Sequence, residues 1–188
     1  MLNAIFLSFG VIFVAELGDK SQLMALAFAA RYKAWPVLVG ISIATAVTHA
    51  ISVGIGAALG AQIPTETISV IAGVAFLIFA AWTLRGDSLD DDDVERASRS
   101  NRSAIIAASS AFFLAELGDK TMLATITLAT QEGVFGTWLG STLGMVAADA
   151  LAIVVGKQLG VRLPERAIRY GAATLFVIFG LWLILEAV

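Results

Sequence analysis

The string Ala-Glu-Leu-Gly-Asp-Lys occurs twice in this sequence, at residues 15–20 and 115–120. Each copy lies within a stretch that is otherwise long and apolar enough to cross a membrane. An ionised residue at a bilayer centre costs roughly 2.5–3.5 kcal/mol, so four acids oppose insertion by roughly 10 kcal/mol. They are tolerable only where they face one another, water or a bound ion. We therefore predict an intramembrane ion-binding centre built from Glu16, Asp19, Glu116 and Asp119.

The composition is that of an integral membrane protein. Apolar residues make up 59% of the chain and charged residues 14%, whereas ordinary soluble domains have roughly 45–50% and 25%. The chain has no cysteine, which excludes disulfides and thiolate metal sites. Its net charge of −3 gives no reason to expect a nucleic-acid partner. We expect the lipid bilayer to be its main surrounding, with the first apolar segment retained as a membrane span.

Six apolar runs predict an all-α fold of six transmembrane helices. The runs lie at about 2–30, 35–61, 66–84, 104–130, 134–157 and 168–187. The repeat also extends beyond the motif, because Gly40 and Pro64 recur as Gly140 and Pro164 at the same offset. We therefore predict one three-helix repeat over residues 1–84, a polar linker over 85–103, and a second three-helix repeat over 104–188.

Loop charges predict the orientation of these spans. Ten of the twelve Lys and Arg residues lie in or beside the first loop, the linker and the fifth loop, which share one side of a six-span protein. The positive-inside rule then places both termini outside the cytoplasm. Because three is an odd number, the second repeat is inverted relative to the first. Inverted repeats with polar interruptions in matching helices are typical of secondary transporters with a midplane site.

The motif residues and their neighbours suggest an all-oxygen cation site. On a continuous helix, the Glu, Asp and Lys of each motif would share roughly one face. The glycines between the acids permit a kink or an unwound turn; these are Gly18 and Gly118. Further polar side chains are candidate secondary ligands or proton carriers: Lys20, Lys120, Ser21, Thr121, Gln22, His49 and Asp149.

The charges of this group predict how such a site would work. Five acids and two lysines sum to −3, and one divalent cation would leave −1. Hard cations such as Ca²⁺, Mn²⁺ and Mg²⁺ prefer oxygen ligands. Carboxylates this close cannot all ionise cheaply, so we expect some to be protonated whether or not a cation is bound. A site that holds either a metal or protons is the physical basis of metal/proton antiport, which is our hypothesis.

The pattern E-x-G-D-[KR]-[ST] is present at 16–21 and again at 116–121. It resembles the signature of the Gdt-type family, in the cation/calcium exchanger superfamily that includes the Golgi manganese/calcium transporter. The resemblance covers essentially the whole chain. It implies proton-coupled transport of Mn²⁺ or Ca²⁺ with the motif acids as ligands, and no bound cofactor. For a compact bacterial member it implies Mn²⁺ export from the cytoplasm across the plasma membrane.

Three other interpretations remain open at this stage. The motif charges could be salt bridges that merely hold helices together, although buried pairs stabilise poorly compared with apolar packing. An intramembrane aspartyl protease would use two aspartates but would leave the motif Glu and Lys without a role. A passive cation channel would need no coupling to protons. We favour a transporter over an enzyme, and interpret the acidic run 90–93 as a solvated part of the linker.

Overall fold

The computed structural model describes residues 1–85, 103–159 and 165–187, and within these residues it contains helices and no strand. This confirms the predicted all-helical class. The predicted linker at 85–103, with its acidic run, lies almost wholly outside the described residues. The described helices, in chain order, are α1 (Leu2–Glu16), α2 (Lys20–Arg31), α3 (Ala34–Gly60), α4 (Thr65–Arg85), α5 (Ala104–Glu116), α6 (Lys120–Glu132), α7 (Val134–Leu159) and α8 (Glu165–Ala187).

Three of these helices, α3, α4 and α7, are each long and apolar enough to cross a membrane alone. Helices α1 and α2 qualify together as one span that is bent by 75°. Helix α5 and most of α8 are apolar but shorter. The helices thus agree with a membrane protein, while the number of six spans stays a prediction.

Glycines let the long helices approach their neighbours closely. A Cβ added at Gly140 of α7 would collide with the Ile5 carbonyl of α1, and one at Gly40 of α3 would collide with the Ile105 carbonyl of α5. These two contacts correspond at the offset of 100 residues. The first helix of each half therefore packs against the long second helix of the other half. Close contact at small residues is a common way for helices to associate within a membrane.

Helices α4 and α8 pack against each other through glycines and aromatic rings. Gly73 and Gly180 face one another so closely that a Cβ on either would meet the other's carbonyl oxygen. The rings of Phe76 and Phe176 lie 5.8 Å apart, centroid to centroid. Contacts between corresponding residues mark the place where the two halves meet. Helix α4 also packs against α6, the helix that begins at Lys120.

Candidate functional site

The first motif forms a tight turn between two helices. Helix α1 ends at Glu16 and α2 begins at Lys20. Leu17 has φ −63° and ψ 120°, and Gly18 has φ 78°. The Asp19 N–H donates a hydrogen bond to the Glu16 carbonyl over 3.1 Å. These values are those of a type II β-turn, whose third position needs positive φ and therefore glycine.

The second motif repeats this turn almost angle for angle. Leu117 has φ −66° and ψ 113°, Gly118 has φ 80°, and the Asp119 N–H donates to the Glu116 carbonyl over 3.3 Å. The turn corrects one expectation. The acids and lysine of a motif do not share one face of a continuous helix, because the Glu ends one helix while the Asp precedes the next. Each apolar run at 2–30 and 104–130 is accordingly two helices.

The two motifs are joined by a crossed pair of ion pairs. The Lys120 Nζ lies 2.8 Å from Asp19 Oδ1, and the Lys20 Nζ lies 3.5 Å from Asp119 Oδ1. Each lysine thus pairs with the aspartate of the other motif. The pairs differ in their surroundings, because the Lys120 side chain is 4% exposed and the Lys20 side chain 26% exposed.

Both aspartates stand at the N-cap of a helix without capping it. Asp is among the best N-cap residues, and its side chain normally accepts a hydrogen bond from the first turn, worth about 1 kcal/mol. Neither Asp19 nor Asp119 makes such a bond. Their carboxylates face the lysines of the opposite motif instead. Each aspartate therefore forgoes the N-cap hydrogen bond to its own helix and forms an ion pair with the other motif.

Three other carboxyl groups are buried beside these pairs. Within the described residues, both carboxyl oxygens of Glu16 and of Asp149 lack a hydrogen-bond partner. Glu116 accepts one hydrogen bond over 2.9 Å from the Thr121 hydroxyl, and its other oxygen has no such partner there. The charge of Asp19 acts on each of these three groups. Buried polar atoms are normally satisfied, so this cluster of oxygens is chemically incomplete without a cation or protons.

The residue two positions after each motif lysine caps the glycine of the turn. The Gly18 N–H donates to Gln22 Oε1 over 2.8 Å, and Gln22 Nε2 donates to the Ala148 carbonyl over 2.9 Å. At the corresponding place in the other half, the Gly118 N–H lies 3.2 Å from Met122 Sδ. Met122 was not among the predicted site residues. Its correspondence to Gln22 was the signal that could have found it.

The remaining predicted site residues are buried but less closely tied to the acids. His49 Nδ1 of α3 lies 3.4 Å from the Thr142 hydroxyl of α7, a contact that was not predicted. Ser21 is fully buried, and its hydroxyl has no hydrogen-bond partner within the described residues. No three His, Asp or Glu side chains of the described ranges are grouped so as to hold a metal ion. In this arrangement each motif lysine forms an ion pair with an aspartate.

The crossed pairing also had a signal in the sequence. Side chains at consecutive positions of a helix do not face each other. A lysine directly after an aspartate therefore has to find its acid elsewhere. Because the turn also separates each lysine from the glutamate of its own motif, the aspartate of the other copy is the acid that it meets.

Comparison with known proteins identifies the family. The sequence model of one protein family, described as divalent cation/proton antiporter GDT1, matches residues 4–91 and 104–188. A candidate manganese exporter of Vibrio cholerae is 34% identical over 184 residues, which are 96% of this chain and 90% of that protein. A GDT1-like protein of Synechocystis is 31% identical over 197 residues, which are 95% of each chain.

The resemblance also extends to a longer plant protein. The chloroplast protein PAM71 of Arabidopsis thaliana is 31% identical over 211 residues, covering 96% of this chain and 56% of that protein. No solved structure matches the chain. The family is one of transporters rather than enzymes, which agrees with the prediction made from the motifs. The chain belongs to the GDT1 family of divalent cation/proton antiporters.

Proposed function

We propose that this protein exports a divalent cation from the bacterial cytoplasm in exchange for protons, with Mn²⁺ as the first substrate and Ca²⁺ as the second. The family supports the class of transport. The relative described as a candidate manganese exporter supports the choice of Mn²⁺ and the direction. Oxygen-only ligands suit both ions.

One observation supports this proposal most: each motif lysine pairs with the aspartate of the other motif, which links the two motifs directly. Acids from one motif alone would supply two carboxylates, too few for a six-coordinate ion without many waters. Together the motifs supply four. The cation ligands in this account are Glu16, Asp19, Glu116 and Asp119.

Neighbouring polar groups complete the proposed site. Asp149 contributes a fifth buried carboxyl group, and Thr121 orients Glu116 through its hydrogen bond. Ser21 offers a hydroxyl oxygen at the position corresponding to Thr121. Gln22 holds the first turn against α7 beside Asp149. His49 is buried against Thr142 of α7, and we assign it the role of a proton carrier rather than a ligand.

We assign the membrane architecture by the same reasoning. Six spans form two inverted three-helix repeats over 1–84 and 104–188, joined by a cytoplasmic linker at 85–103, with both termini outside the cytoplasm. The reciprocal packing of α1 on α7 and of α5 on α3 supports two equivalent halves. In many secondary transporters the midplane binding site is formed where two corresponding helices are broken.

Proton coupling follows from the charge of the site. Five acids and two lysines cannot be left at −3 in a low-dielectric interior. A divalent cation removes two of these charges, and protons can remove the same number. Alternate occupation by the cation and by protons keeps the site near neutrality in both halves of the cycle.

The test is uphill transport in proteoliposomes. An imposed pH gradient across vesicles that contain the purified chain should drive Mn²⁺ against its own gradient, and Mn²⁺ movement should in turn move protons. Glu16→Gln should abolish both movements, whereas Glu66→Gln, a change at an exposed acid of α4, should leave them intact. Mn²⁺ that only runs down its gradient would indicate a channel. A parallel measurement with Ca²⁺ decides between the two substrates.

A further inference from the structure

We infer that Lys20 and Lys120 are tethered competitors for the transported cation: their ammonium groups hold the aspartates when the cargo is absent and must leave when it binds. This inference rests on the proposed cation site. It concerns the two lysines, which no part of that proposal needs as ligands, proton carriers or helix anchors. Its basis is the geometry of the crossed pairs.

The first step is that the lysines use the oxygens that a cation would need. Asp19 and Asp119 each present Oδ1 to an ammonium group, at 2.8 Å and 3.5 Å. A cation bound by both aspartates would lie within a few ångströms of both ammonium groups. Like charges at that distance in a buried site repel strongly. Cargo and lysines therefore exclude each other from the aspartates.

The second step is that the charges match. Two ammonium groups carry together the same charge as one divalent cation. Replacing them at the aspartates by Mn²⁺ leaves the local charge on those two carboxylates unchanged. At the two aspartates the exchange therefore leaves no acid uncompensated, which is the costly condition for a buried carboxylate, while the other three acids still depend on protons.

The third step is that lysine side chains can make this movement. A lysine is a compact charge on a flexible four-carbon stem, which can move its head towards water while its stem stays on apolar surface. Lys20 is already 26% exposed and lies at the longer distance. Lys120 is 4% exposed and lies at the shorter distance, so it competes more strongly for its aspartate.

The competitor role and a purely structural role predict opposite signs. If the lysines only hold the two halves together, removing one loosens the site and weakens cation binding. If they compete with the cargo, removing one tightens binding and slows release. The affinity for the cation then rises while kcat falls. A loss of packing alone would not raise the affinity.

The experiment measures Mn²⁺ binding and transport by the full chain carrying Lys120→Gln or Lys20→Gln. Glutamine keeps much of the length and removes the charge. We expect the Mn²⁺ Kd and the KM to fall by about tenfold or more for Lys120→Gln, less for Lys20→Gln, and kcat to fall in both. Lys→Arg at the same positions keeps the charge, and should remain near the wild-type affinity.

Weaker or unchanged Mn²⁺ affinity in both Gln variants would overturn the inference. If Lys120→Gln does not fold, Lys20→Gln decides the matter, because its partly exposed side chain is the less costly one to replace. Failure of the proposed function itself is separate: in that case the wild-type chain would bind no Mn²⁺. If the wild-type chain binds Mn²⁺ and the Gln variants bind it more weakly, the cation site stands and only the competitor role of the lysines is rejected.

Discussion

The two motif turns have the same residues and nearly the same backbone, yet they do not have the same surroundings. The first turn is capped by an amide oxygen of Gln22, whereas the second is capped by the sulfur of Met122. The glycine of the first is partly buried and that of the second is exposed. The comparison teaches that the turn geometry comes from the motif, while its environment comes from the helices around it.

The crossed ion pairs differ in the same way. The pair between Lys120 and Asp19 is short and almost inaccessible, and the pair between Lys20 and Asp119 is longer and partly open. Buried charges without a partner are far more costly than exposed ones. The ion pair at Asp19 is thus shielded from solvent, whereas the ion pair at Asp119 is partly accessible to it. A transporter with alternating access needs such an inequality in any single conformation.

The motif glutamates show a third difference. Glu116 accepts a hydrogen bond from Thr121, but the corresponding Ser21 hydroxyl makes no hydrogen bond within the described residues. Thr and Ser carry the same donor, so the difference lies in how each side chain is placed. Glu16 is in consequence the less satisfied of two acids that share the same sequence context.

The largest effect that would sharpen this comparison comes from neutralising one aspartate at a time. Asp19→Asn should destabilise the protein by about 3 kcal/mol or more, because it leaves Lys120 charged and buried. Asp119→Asn should cost about 1 kcal/mol or less, since Lys20 can reach water. Unfolding of the purified variants in detergent would measure both, and transport should be lost in both.

The control for this pair is again Glu66→Gln, which removes an acid from the exposed side of α4. It should change neither stability nor transport measurably. Equal destabilisation by the two Asn variants would contradict the inequality of the ion pairs. A variant that transports normally would contradict the use of that aspartate as a ligand.

A smaller effect is expected from exchanging the turn caps. Gln22→Met should cost about 1 kcal/mol, because it replaces the amide acceptor of the Gly18 N–H by sulfur and removes the bond to the Ala148 carbonyl. Met122→Gln should be neutral or slightly stabilising, since it offers the Gly118 N–H a stronger acceptor. Thermal unfolding of each single variant and of the double variant would measure these changes in stability. Equal destabilisation by Gln22→Met and Met122→Gln would contradict the difference between the two turn caps.

Much of the fold could be predicted from the chain itself. The apolar runs at 35–61 and 66–84 correspond closely to α3 and α4, because an apolar stretch of that length has few alternatives to a helix. The recurrence of Gly40 as Gly140 was visible in the sequence, whereas the close approach of a neighbouring helix at each glycine was seen only in the structure. That the acids of both motifs form one cation site stays a prediction.

The motif turn and the crossed pairs could not be predicted in detail. A glycine inside an apolar helix is compatible with a kink, an unwound turn or an undisturbed helix, and tertiary contacts decide among them. Here the contact of Asp19 with Lys120 draws the carboxylate away from its helix. Sequence pattern reports the residues of a motif, but which oxygen meets which ammonium group depends on how two distant segments pack.

The central claim is that both motifs build one shared site, and the stoichiometry of Mn²⁺ binding tests it most directly. Titration of the purified chain should give one bound Mn²⁺ per chain, and either Glu16→Gln or Glu116→Gln alone should abolish that binding. Two Mn²⁺ per chain, with each variant retaining one, would contradict the shared site and make the two motifs independent.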